Sequence, residues 1–136
     1  MVEPDWRITE VDGVPTYWAP TETETVRASL WFRGGTADLL LPHHGWLHLL
    51  EHLALHNPQF RDMTVNGEVG LRYTRFDVAG LANEVALFLR RVCEWLTSPS
   101  FEDLEHELRV LRAESQQRSI GSVARHLVWR YGANGP

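Results

Sequence analysis

With 136 residues, 43% of them apolar and six of them tryptophan, the chain is long enough for one domain with a real core and too short for two. Its net charge of -5, with acidic and basic residues interspersed, excludes the basic surface that a nucleic-acid partner requires. No uncharged apolar stretch approaches the ~20 residues that span a bilayer, and the start Met-Val-Glu-Pro-Asp-Trp-Arg lacks a cationic, apolar leader.

The expectation is therefore one soluble, cytoplasmic domain over residues 1–136 with no membrane partner. Cys93 is the sole cysteine, so no internal disulfide can form and a metal site would have to use histidine and carboxylate. Its apolar neighbours predict a thiol in the core.

In chain order, Trp6 to Val11 and Val14 to Trp18 flank Asp12-Gly13, a dipeptide suited to a two-residue hairpin turn. After a polar link from Pro20 to Thr25, Val26, Ala28, Leu30 and Phe32 alternate with Arg27, Ser29, Trp31 and Arg33, which predicts a strand with one buried face. Gly34-Gly35 ends it. A loop from Thr36 to His44, whose His43 and His44 read as loop histidines, leads to the segment Gly45-Trp46-Leu47-His48-Leu49-Leu50-Glu51-His52-Leu53-Ala54-Leu55-His56.

This segment predicts a helix ended by Asn57-Pro58, because the residue before a proline is pushed out of the helical region. Successive helical residues are offset by about 100°, so His48 and His52 project from one face a turn apart and can share one metal ion. Glu51 then reaches a water on that metal without being a ligand, the position of a general base. Apart from these three and the terminal His56, the helix is Trp, Leu and Ala. Two imidazoles and a carboxylate in that setting are costly unless a cation or hydrogen bonds satisfy them. His56 continues the histidine stripe by a turn and reads as a residue supporting the ligands or facing solvent.

Asn66-Gly67 carries a second hairpin signal, followed by a strand over Val69 to Gly80. Apolar residues at Leu81, Val85, Leu89, Val92 and Leu96 predict a helix covering the sheet. Ser100 and Asp103 resemble a capping box opening a third helix from Phe101 to about Arg118. On its wheel Glu107 and Glu114 both fall on the apolar side with Leu104, Val110 and Leu111, whereas Glu102, Glu105, Arg109 and Arg112 form the solvated side. A carboxylate on a buried face needs a cation, so Glu107 or Glu114 is the natural third ligand, and the wheel does not choose between them. The alternative is a buried pair with Arg75, Arg90 or Arg91. A short helix over Ser119 to Arg130 and a loop from Tyr131 complete the reading. The fold class is α+β, an antiparallel sheet packed by helices.

The order His-x-x-Glu-His is the pattern called inverzincin. Gly35-Thr36, then Gly45-Trp46-Leu47-His48-Leu49-Leu50-Glu51-His52, then Glu107-(x)6-Glu114, resembles the insulinase/pitrilysin family of zinc peptidases, which includes the mitochondrial processing peptidase. The resemblance covers nearly the whole chain as the first αβ unit of the family's metal-bearing half. It implies an αβ roll, a zinc cofactor on His48, His52 and Glu114, Glu51 as the base that activates water, and Glu107 as a supporting carboxylate. It also implies a peptide substrate, such as a leader or precursor held in extended form, and a second half or partner chain that supplies an Arg and a Tyr.

Two departures accompany it. The link from Asn57 to Val65 is short, and the edge strand's usual Asn-Ala falls at Gly70-Leu71. The alternatives to a peptidase are a non-catalytic scaffold or peptide-binding subunit of a two-chain assembly, and a closed structural zinc site completed by His56.

Overall fold

The computed structural model describes residues 5–60 and 63–117 of the chain. The helix expected over Ser119 to Arg130 and the loop from Tyr131 lie outside those residues. The strands β1 (Arg7–Val11) and β2 (Val14–Trp18) form an antiparallel hairpin in which Val11 faces Val14. Asp12 at φ 51° and Gly13 at φ 80° make the left-handed turn that matches the strand twist. This hairpin is a sheet of its own.

The main sheet is antiparallel, in the order β3 (Val26–Phe32), β5 (Thr74–Gly80), β4 (Thr64–Val69), so β5 is central and, among the described residues, β4 is paired on one side only. Register places Ala28 against Val78, Leu30 against Phe76, Val65 against Val78 and Gly67 against Phe76. This row faces the helices. The opposite face is polar: Ser29 Oγ donates to Asp77 Oδ1 at 2.6 Å, Arg75 Nη2 donates to Glu68 Oε2 at 2.6 Å, and the Arg75 guanidinium sits 5.0 Å from the Trp31 ring centre.

Helix α1 (Trp46–Leu55) packs on β4, and α2 (Ala82–Thr97) packs on β3 and β5. Their apolar stripes meet the sheet in a core of Ala54, Phe60, Phe76, Val78, Val85, Phe88 and Val92, of which Phe88 and Val92 are fully buried. The third helix, α3 (Leu104–Gln117), lies against α1. The molecule is thus α+β, with helices on one face of an antiparallel sheet.

Three expectations need correction. Asn66-Gly67 is not a turn but lies within β4; the chain reverses at Gly70 to Tyr73, where Gly70 N–H donates to the Tyr73 carbonyl at 2.9 Å. Cys93 is exposed, because the next residue after Val92 is rotated about 100° off the buried stripe. Finally, α3 begins at Leu104 rather than Phe101. Leu104 N–H bonds back to the Phe101 carbonyl in a tight turn, and Asp103 opens the helix through its carbonyl, which accepts from Glu107 N–H at 3.0 Å.

Candidate metal centre

Helix α1 starts on Gly45 at φ 108°, a left-handed conformation that side chains disfavour, and its carbonyl accepts the first helical bond from Leu49 N–H at 2.9 Å. The preceding loop is stitched to the β4–β5 turn. Thr36 N–H donates to the Gly70 carbonyl (3.0 Å), and Ala37 N–H donates to the Leu71 carbonyl (2.9 Å). Gly35 is required there, since a Cβ would stand 2.4 Å from the Leu71 oxygen. His43, the last residue of a short 3₁₀ helix over Leu41–His43 rather than of an open loop, packs at a tilt against Trp46 with ring centres 4.6 Å apart. At its far end α1 closes with His56 N–H on the His52 carbonyl, and Pro58 opens a short turn ending in buried Phe60.

α3 runs antiparallel to α1, so that Glu107 lies beside His52 and His56 while Glu114, two turns on, lies beside His48 and His52. His48 Nε2 and His52 Nε2 are 3.2 Å apart, and the Glu114 carboxylate oxygens lie 3.7 Å from each of them. One ligand atom from each of these three residues falls within 4.8 Å of the others, so the group is able to hold a metal ion. The spacing can be tested against coordination chemistry. Tetrahedral ligands at 2.0–2.1 Å from a zinc ion are about 3.3 Å apart. The two imidazole nitrogens, 3.2 Å apart, meet that figure, and each faces a different Glu114 oxygen at 3.7 Å, so the three side chains fit the ion once the carboxylate turns one oxygen to it.

Protonation supports the fit. His52 Nδ1–H donates to Glu107 Oε2 at 3.1 Å, and His56 Nδ1–H donates to Glu107 Oε1 at 2.6 Å. In neutral His52 the lone pair is therefore on Nε2, the atom aimed at His48 and Glu114. Glu107 is 4% exposed. Burial pushes its pKa up, but the bonds from His56 and His52 and the charge of those rings together hold it below the ordinary glutamate range, so it stays an ionised acceptor.

Glu51 is 7% exposed, and its Oε2 stands 3.6 Å from His48 Nε2 and 4.0 Å from His52 Nε2. It rests on β4: a Cβ at Gly67 would meet Glu51 Oε1 at 2.1 Å and its Cγ at 2.5 Å. Gly67 is the site residue that sequence reasoning missed. Its signal was present, but Asn-Gly reads as a turn unless the close approach of a helix is known. Gly70-Leu71 lies at the reversal between β4 and β5 rather than within the edge strand. His56 does not join the His48, His52, Glu114 group and binds Glu107 instead. Arg75 and Arg91 pair with Glu68, Asp77 and Glu94 rather than with the carboxylates of α3. Compared with known proteins, the chain matches no family model and no curated protein. Among the described residues, no helix is long and apolar enough to cross a membrane.

Proposed function

We propose that the chain is the first, metal-bearing unit of a zinc-dependent endopeptidase of the insulinase/pitrilysin type, completed by a second half or partner chain. The observation that carries this reading is the convergence of His48, His52 and Glu114 with the Glu51 carboxylate beside them, within 4.0 Å of both imidazoles. His48, His52 and Glu114 would hold the ion. When bound, zinc supplies Lewis acidity, lowering the pKa of water from about 16 toward about 7 and polarising a carbonyl.

The remaining work belongs to side chains. Glu51, buried against Gly67, takes a proton from the attacking water and later gives it to the leaving amine. Glu107 fixes the His52 tautomer from behind. The substrate is a peptide in extended form, because β4 is an edge strand among the described residues and its Gly67 lies directly under Glu51, so a strand added there would run beside the site. A leader or precursor peptide suits such binding, since backbone pairing asks for extension rather than for a particular side chain.

The test uses quenched-fluorescent peptides with wild type and Glu51→Gln. With the completing half or partner chain present, zinc-dependent cleavage is expected in wild type, reduced by about 10²–10⁴-fold in Glu51→Gln with the tightly held zinc retained. In parallel, the cobalt-loaded chain should change its visible spectrum on adding a peptide hydroxamate, as an open coordination position requires. Cleavage that survives Glu51→Gln, or a cobalt spectrum indifferent to the hydroxamate, contradicts the proposal; the second result is the signature of a closed structural site.

A further inference from the structure

The histidine stripe of α1 ends at His56, one turn past the ligands, and its ring meets the first turn of α3 rather than the cluster described above. His56 Nδ1 is 2.6 Å from Glu107 Oε1, its Nε2 is 3.9 Å from Asp103 Oδ2, and its ring lies edge-on to that of His106, with centres 5.7 Å apart. One ligand atom each from His56, His106 and Glu107 falls within 4.8 Å of the others. The two imidazoles are exposed, and Glu107 is the buried floor of the group.

We infer that His56, His106 and Glu107 form a second transition-metal site at the surface, joined to the first through the Glu107 carboxylate. The chemistry is that of a borderline-soft divalent ion such as zinc, which imidazole suits. The ion takes the place of the proton that now lies between His56 Nδ1 and Glu107 Oε1, and that proton moves to His56 Nε2. His106 supplies the third donor. The His56 Nε2–H turns toward Asp103, the carboxylate support that ligating histidines usually have. Tetrahedral ligands stand about 3.3 Å apart, so the donors have to be drawn together onto the ion, which rotation of the two exposed rings allows.

Glu107 Oε2 stays on His52 Nδ1, so one carboxylate orients a ligand of the first ion while binding the second. The second site is the weaker, because its imidazoles are exposed and have to be drawn together. This assignment does not depend on the peptidase reading.

Zinc binding to the full chain, followed by competition with a chromophoric chelator, tests it. Wild type is expected to hold two classes of zinc, one tight and one weak. His106→Ala and His106→Gln, changes at an exposed position checked for fold by circular dichroism, should weaken the second class at least about tenfold and leave the tight class unchanged. His48→Ala should lose the tight class and keep the weak one. A single class in wild type, or a weak class that survives both His106 variants, overturns the second site. If His48→Ala loses nothing while His106→Ala loses the weak class, the first site is wrong and the second stands.

Discussion

Glu107 has both of its oxygens occupied, one by His52 and one by His56. Because its pKa in the folded chain is depressed, the stability it contributes is present above the ordinary glutamate range and is lost as pH falls through the folded value. The loss begins as the unfolded chain's carboxylate takes up a proton and is complete below the folded value. Acid titration of metal-free protein by circular dichroism should therefore show a fall in stability in the acid limb that Glu107→Gln flattens. The same variant is expected to weaken the tight zinc by about 10–100-fold, read by chelator competition. Gly67 is the complementary case, a residue whose role is to be absent. Gly67→Ala must push the Glu51 carboxylate away from β4, so peptide cleavage should fall at least about tenfold with zinc content unchanged, which separates the base from the ligands. His48, Glu51 and His52 were legible in the sequence because all three sit on one helix, where spacing fixes direction. Gly67 was not, because nothing local distinguishes a glycine that relieves a clash from one that makes a turn.

Among the elements, the helices were read nearly to their ends, since burial at a 3.6-residue period marks them whatever their neighbours do. Val85, Phe88 and Val92 are buried at that spacing. Strand pairing was less legible. The boundary between β4 and β5 was misplaced because Gly70 to Tyr73 carries no strong turn dipeptide, and the reversal is held instead by bonds to Thr36 and Ala37, more than thirty residues away. The β4–β5 ladder carries its own test. Tyr73 O–H donates to Glu68 Oε1, and Arg75 binds the other Glu68 oxygen at 2.6 Å. The bond to Glu68, with lesser contributions from burial and from the Glu68 and Asp77 charges against that of Arg75, raises the Tyr73 pKa above 10.0. Its contribution is thus present at neutral pH and lost as pH rises through the raised value. Ultraviolet titration should find Tyr73 ionising above its ordinary range in wild type and moving down in Glu68→Gln.

At the scale of the whole molecule, the wheel of α3 put Glu107 and Glu114 on one side and could not choose between them, because the choice is made by a second helix. Seven residues advance about 10.5 Å along α3, and the antiparallel passage of α1 sets Glu107 against His52 and His56 and Glu114 against His48 and His52. That register is a tertiary fact. It depends on α1 resting on β4 and on the sheet order β3-β5-β4, none of which the spacing within either helix contains. Chelator-competition measurement of zinc affinity in Glu114→Ala beside Glu51→Gln tests the division of labour between ligand and base most directly. Glu114→Ala should weaken the tight zinc by at least about 10²-fold and Glu51→Gln should leave it within about twofold of wild type. Retention of the tight zinc by Glu114→Ala together with its loss in Glu51→Gln would contradict the assignment.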